Sequence, residues 1–201
     1  SPKIKLDKPK EFKLKNGIRV LVVENHKLPR INYSLRFDRK PIVEGEKTGV
    51  ISLLGSMLGN GTTNIPKDDF NEEVDFLGAG INVGFGSGFA FTLTKNNEKV
   101  LDLFSDAVIN PLLTEEEFEK EKDKLIEGLK SQKKDIDAIS GRVGDALSYG
   151  KSHAYGEFIS EQTIDNIKFE DILEYHAKYF IPNNVYIVVI GDVNYKELKS
   201  L

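Results

Sequence analysis

The segment GVISLLGSMLGNGT (residues 49–62) carries two different faces of one predicted helix. Apolar residues recur at helical spacing along the first face, which predicts that it is buried: Val50, Ile51, Leu53, Leu54, Met57 and Leu58. The second face carries almost no side chain, because the positions i, i+3, i+4 and i+7 are Ser52, Gly55, Ser56 and Gly59. Taken alone, such a stripe is typical of a helix that another helix or strand approaches closely.

The bulk composition indicates a folded chain and excludes several classes of protein. With 201 residues, 39% of them apolar and 30% charged, the chain suits one globular domain. The absence of cysteine excludes disulfides, thiolate metal sites and a cysteine nucleophile. Acidic and basic residues are well mixed and give a net charge of −4, so no nucleic-acid partner is indicated. No run approaches the roughly 18 apolar residues of a membrane span, and the first residues, SPKIKLDKPKEF, carry neither the apolar core nor the cleavage site of a signal peptide.

Segments on both sides of the helix predict a sheet. Residues 12–23 form a hairpin that turns at Asn16 and Gly17, and residues 31–37 alternate as a third strand. The glycine-rich segment GAGINVGFGSGFAFTLTK (residues 78–95) predicts two more strands, and VYIVVIGDV (residues 185–193) predicts a last strand that is buried on both faces.

The remaining segments predict helices. The patterns favour helices over residues 47–59, 66–77, 97–110, 114–137 and 169–179, with a short helix or turn at 145–148. This order of elements places the chain in the α+β class, as a mixed, largely antiparallel sheet with helices packed on one face.

Catalytic motifs are weak when the residues are considered alone. The histidines, His26, His153 and His176, are scattered and lack the spacing of a helical metal site. Ser87 lies between two glycines, but the first glycine stands one position too close for a G-x-S-x-G nucleophile turn. No glycine-rich run ends in Gly-Lys-Ser/Thr, so a phosphate-binding loop is also excluded.

Five strings in order along nearly the whole chain resemble the pitrilysin/insulinase family of zinc metallopeptidases, which includes the mitochondrial processing peptidase. The family's opening hairpin resembles FKLKNGIRVLVVENHKLP (12–29), and its signature helix resembles GVISLLGSMLGNGT (49–62). Its segment with distal glutamates resembles AVINPLLTEEEFEKEKDKLIEGLK (107–130), and its His-Pro-Tyr-Gly loop resembles SHAYG (152–156). Its closing helix and strand resemble HAKYFIPNNVYIVVIGDV (176–193). The resemblance implies the metallohydrolase fold of the processing peptidase over residues 1–193. It also implies that residues 194–201 begin a linker or helix to a second homologous domain.

The resemblance offers an explanation for the bare face of the signature helix. Active members carry H-x-x-E-H there, with two histidines that bind zinc and a glutamate that polarises water. These places fall on Ser52, Gly55 and Ser56. With the nearby glutamate matched to Glu121, the third ligand place falls on Gly128, and a shift of one residue brings Glu127 into register. The resemblance therefore implies a degenerate site that binds no zinc and has no catalytic residue.

The family also implies a role without catalysis. Its domains close into a chamber around an extended peptide, and in two-subunit members only one partner keeps the zinc motif. We expect this chain to complete such a chamber with a homologous partner that carries the zinc, and to bind peptide at a sheet edge. The candidate contacts in this sequence are Gly84, Gly86, Gly88 and Phe89.

Two alternatives stay open at this point. The chain could be an active zinc endopeptidase that uses Glu121, Glu127 and a relocated histidine, or a structural scaffold, as relatives in the respiratory chain are. Family habit favours a bacterial periplasm or cell envelope as the location.

Overall fold

A computed structural model describes residues 8–183 and 185–200. Its centre is one six-stranded sheet with the order β1-β2-β6-β3-β5-β4. The strands are β1 (Lys10–Lys13), β2 (Arg19–Glu24), β3 (Arg30–Phe37), β4 (Gly80–Val83), β5 (Ser87–Leu93) and β6 (Val185–Gly191). Only the β2–β6 pair is parallel, so the predicted mixed, largely antiparallel α+β sheet is confirmed.

Eight helices accompany the sheet in the described residues. They are α1 (Val50–Met57), α2 (Lys67–Phe76), α3 (Asn97–Ile109), α4 (Glu115–Gln132), α5 (Ile136–Tyr149), α6 (Glu161–Asp165), α7 (Phe169–Tyr179) and α8 (Tyr195–Ser200). Helix α1 packs against α4 and α7, and α3 packs on β5. None of the described helices is long and apolar enough to cross a bilayer.

One face of the sheet forms the core, and alternation along the strands creates it. On β3, Ile31, Tyr33 and Leu35 are buried among residues of the helices, whereas Asn32 and Ser34 between them are only half-buried. The other face is partly open, since Ile190 in the central strand β6 keeps 43% of its surface exposed. The prediction that β6 is buried on both faces is therefore wrong. No layer of the described residues covers the outer face, so the apolar run is buried on one side only.

The helix that opens the signature segment is shorter than predicted. A 3₁₀ turn, Gly45–Lys47, precedes it, and Gly49 stands at its N-cap with φ +118°. That backbone conformation is left-handed and separates the turn from the helix. Helix α1 therefore begins at Val50 rather than at Lys47.

The helix predicted over residues 114–137 is two helices. Thr114 caps α4, as expected, by accepting a hydrogen bond from the Glu117 N–H at 3.3 Å. Helix α4 ends at Gln132 because Asp135 caps a new helix, accepting from the N–H groups of Asp137 and Ala138 at 3.0 and 3.1 Å. The prediction of a short helix or turn at residues 145–148 is wrong, since these residues close α5, whose apolar side chains stay largely exposed.

Candidate functional site

The bare face of α1 points away from the core. Ser52 and Ser56 are exposed, while Leu53, Leu54 and Met57 on the opposite face are fully buried. The Ser56 hydroxyl donates to the Leu53 carbonyl at 2.9 Å, so its proton is engaged within the helix. The H-x-x-E-H places thus form an accessible surface with two hydroxyl groups and no imidazole or carboxylate.

The hairpin between β4 and β5 approaches the glycines of this face. A Cβ on Gly55 would lie 3.8 Å from the Phe85 nitrogen, which is ordinary contact. At Gly59, a Cβ would lie 3.2 Å from the Val83 nitrogen, and φ is +73°. The interpretation of the stripe as a close-approach surface is therefore confirmed at Gly59, where both the space and the left-handed backbone favour glycine.

An arginine inside an aromatic cluster holds this hairpin in place. The Arg39 guanidinium lies 4.1 Å from the ring centroid of Phe85 and 4.7 Å from that of Phe37. It donates to the carbonyl of Phe85, and to the carbonyl of Tyr179 at 3.0 Å. Burial lowers the pKa of Arg39 from its usual value. The side chain therefore joins the β4–β5 turn to the end of α7 through cation–π contacts and hydrogen bonds.

Two glutamates organise the N-terminus of α1. The Glu44 carboxylate accepts from the N–H groups of Gly49 and Ile51 at 3.1 and 2.9 Å, and Glu157 accepts from those of Glu44 and Gly45 at 2.9 and 2.7 Å. Burial raises the pKa of Glu44, against the lowering effect of its backbone hydrogen bonds. The two acceptors satisfy backbone donors that the helix and its preceding turn leave free.

Helix α4, which packs against α1, carries the distal positions. Glu121 accepts from Lys124 at 2.5 Å and keeps 14% of its side chain exposed. Glu127 is exposed, and a Cβ on Gly128 would meet no atom within 4 Å. The packing leaves room for a larger side chain at position 128.

The histidines are not brought together with these glutamates. The Nδ1 atom of His26 lies 2.7 Å from an Asp192 carboxylate oxygen, and His153 stacks on Tyr149 in an exposed loop. His176 stacks on Phe180, and burial lowers its pKa. Across residues 8–183 and 185–200, no group of three His, Asp or Glu side chains is arranged to hold a metal ion. A relocated zinc site finds no support in this arrangement.

The predicted peptide contacts lie around the edge strand β4, which ends the sheet among the described residues. Gly84 and Gly86 lie in the β4–β5 turn, and Gly86 is exposed. Gly88 instead faces the core, where a Cβ would lie 2.9 Å from the Phe104 ring. Phe89 points to the outer face and is 43% exposed. The role of these four residues in peptide binding stays a prediction.

Comparison with known proteins identifies the family. Residues 42–147 match the model of the insulinase family, peptidase family M16, and residues 166–201 match the model of the M16 inactive domain. The chain belongs to peptidase family M16. The matched region includes α1, the β4–β5 hairpin and α4, which are the elements that build the site of this M16 chain.

Similar proteins agree with this assignment. An uncharacterized zinc protease of Rickettsia felis is 24% identical over 94% of this chain and 47% of its own length. Subunit 1 of the bovine mitochondrial cytochrome b-c1 complex is 22% identical over 94% of this chain and 40% of its own length. The crystal structure of a peptidase M16 inactive domain from Pseudomonas fluorescens superposes with a TM-score of 0.84 at 23% identity, over 96% of this chain and 48% of that one. The chain spans about half the length of the curated relatives it matches.

The zinc that the M16 fold implies does not fit the residues of this chain. Structural and catalytic zinc sites use thiolate, imidazole or carboxylate ligands. The motif places supply the hydroxyls of Ser52 and Ser56 and no side chain at Gly55, so neither ligands nor a general base are present there.

Two residues that shape the site were not singled out from the sequence. Arg39 and Glu44 stand in a segment between β3 and α1 that carries no periodic pattern. A signal for Glu44 exists, because an acidic residue shortly before a helix can accept its free N–H groups. Nothing local indicates the Arg39 contacts, since Phe85 and Tyr179 are remote in sequence.

Proposed function

We propose that this chain is a catalytically silent M16 member that binds an extended peptide and completes a peptide-binding chamber with a zinc-bearing homologue. The observation that carries the proposal is that the small-residue face of α1, with Ser52, Gly55 and Ser56, lies beside β4, the last strand of the sheet among the described residues. In this proposal the zinc belongs to the partner, and this chain needs no metal. Its location in a bacterial envelope stays a prediction.

The edge of β4 supports the binding half of the proposal. An edge strand presents unpaired N–H and C=O groups, and an extended peptide can add to it by main-chain hydrogen bonds. Arg39 holds Phe85 of the adjacent turn against the end of α7, so the edge is prepared before a peptide arrives. A prepared edge reduces the ordering cost of binding.

A second candidate is a structural scaffold, which the similarity to the cytochrome b-c1 subunit favours. The two candidates differ in what the partner gains. A chamber-completing subunit increases the peptidase activity of its partner and binds peptide itself, whereas a scaffold does neither.

Zinc content and activity test the proposal together. The purified chain, an M16 homologue that keeps H-x-x-E-H, and their mixture are compared by elemental analysis and by cleavage of a fluorogenic peptide. We expect no zinc and no cleavage from this chain alone, and greater cleavage by the mixture than by the homologue. About one zinc per molecule of the isolated chain would contradict the proposal. Stable association without any gain in cleavage or peptide binding would favour the scaffold.

Peptide binding at β4 is tested with a labelled decapeptide and its backbone N-methylated counterpart in fluorescence anisotropy. N-methylation removes the donors needed for strand addition, so we expect the counterpart to bind at least about tenfold more weakly. Gly86→Val places a side chain in open space on the turn and is suited to test contact there. Gly88→Val is unsuited, because it would displace the Phe104 ring.

A further inference from the structure

We infer that the β4 edge selects peptides with an aromatic or large aliphatic side chain opposite Gly80, through the ring of Phe91. This inference rests on the proposed function, since it requires a peptide paired with β4. The determinant lies on the outer face of the sheet, on the side away from the helices.

The ring of Phe91 lies over the edge strand. Gly80 of β4 and Phe91 of β5 are directly opposite in the antiparallel pair. A Cβ on Gly80 would lie 2.2 Å from Cε1 and 2.7 Å from Cζ of Phe91. The ring therefore occupies the volume that a side chain at position 80 would fill, and it extends from β5 toward the outer side of β4, the last strand among the described residues.

Neighbouring residues keep the ring in this position and keep it accessible. Phe89 lies on the same face with its ring centroid 6.2 Å from that of Phe91, and the Arg30 guanidinium lies 5.8 Å from the Phe91 centroid. Phe91 is half-buried and Phe89 is 43% exposed. The result is an aromatic surface that borders β4 without a cover in the described residues.

Strand geometry places a guest side chain against this surface. Neighbouring strands are about 4.8 Å apart, and side chains directly opposite on one face have Cβ atoms roughly 5 Å apart. A guest residue opposite Gly80 would therefore meet the ring of Phe91 instead of a β4 side chain. The guest residue two positions along would meet Asn82, which is exposed and polar. The edge thus favours an apolar residue opposite Gly80 and a polar residue two positions away, opposite Asn82.

Coverage of a glycine by an aromatic ring also stabilises a sheet without any ligand. A double-mutant cycle between protein and peptide separates the role of Phe91 in stabilising the sheet from its role in selecting peptides. The probes are fluorescein-labelled decapeptides of alternating Thr and Lys with a single Phe, Leu or Ala at one central position. Phe91→Val introduces a β-branched residue, which a strand favours, but the valine side chain is too short to reach over Gly80. Leu93→Ala is the matched control, since Leu93 lies on the same face beyond the end of β4.

We expect the native chain to bind the Phe peptide about tenfold more tightly than the Ala peptide, as one buried aromatic contact predicts. In Phe91→Val the preference should fall to about twofold or less, and in Leu93→Ala it should persist. Gly80→Ala provides an independent variant, because it displaces the ring while it keeps Phe91. An unchanged preference in folded Phe91→Val and Gly80→Ala would overturn the inference. If the decapeptides bind without a preference for Phe, this inference is overturned and the proposed function stands. If no decapeptide binds, the proposed function is overturned as well.

Discussion

Restoring the ligands to α1 and α4 should restore zinc binding. The change is Ser52→His, Gly55→Glu and Ser56→His, combined with Gly128→Glu. Ser52 and Ser56 are exposed, a Cβ at position 128 meets no atom within 4 Å, and a Cβ at position 55 keeps ordinary contacts of 3.8 and 4.0 Å with Phe85. Each of the four positions therefore admits a Cβ without a movement of the backbone, and positions 52 and 56 face solvent.

Two separate gains in stability are expected from this variant. Replacing glycine inside a helix stabilises by about 0.5–1 kcal/mol at each of positions 55 and 128, and this gain does not depend on metal. Zinc at 100 times its dissociation constant adds about 2.7 kcal/mol. For a chain of this size, 1 kcal/mol raises the melting temperature by about 2–4 °C, so zinc should raise it by roughly 5–10 °C.

The assay is thermal unfolding in EDTA and in zinc chloride, with elemental analysis after dialysis. The matched control carries alanine at positions 52, 55, 56 and 128, and it should show the helix gain without any response to zinc. A variant that keeps Gly128 distinguishes the two registers, because it binds zinc only if Glu127 reaches the metal. A folded variant that has the same melting temperature in EDTA and zinc, and retains no metal, would refute the assignment of the motif to these positions.

Three further predictions concern the fold around the site. Gly59→Ala should destabilise by about 1–2 kcal/mol in urea unfolding, because φ is +73° and the new Cβ meets Val83, whereas Gly128→Ala should not destabilise. Phe118→Ala removes a fully buried ring and should cost about 3–5 kcal/mol in the same assay. Glu44→Gln tests a carboxyl whose pKa burial raises on folding. The Glu44 contribution is present below its unfolded pKa and falls as the pH rises through the folded pKa, so the native chain should lose stability relative to Glu44→Gln as the pH rises above the ordinary glutamate pKa of 4.5, as urea unfolding at a series of pH values would measure.

Local patterns predicted the elements whose causes are local. The turn at Asn16 and Gly17, the alternation along β3 and the cap at Thr114 depend on nearby residues and are all present. The sequence pattern did not predict the break between α4 and α5, because the break depends on one residue, Asp135, which caps α5 and lies within a run of charged residues. The open outer face of β6 was missed because an apolar run does not reveal whether a second layer exists.

The candidate site also has parts that the sequence predicts and parts that it does not. The family resemblance assigned the motif positions to α1, because a motif maps residue by residue onto a sequence, and this assignment stays a prediction. A sequence motif could not predict the contacts that support the site, because Arg39 meets Phe85 and Tyr179 only after the sheet and α7 have assembled. The orientation of Gly88 toward Phe104 likewise depends on the register of β5 against α3.

The position of β6 has a consequence for how the chain folds. This strand, the last in sequence among those described, lies between β2 and β3, which both come from the first forty residues. On the ribosome, the early strands therefore wait for their central neighbour until residues 185–191 have been synthesised. Contacts so distant in sequence make folding slow, and the waiting strands β2 and β3 expose edges on which nascent chains can aggregate.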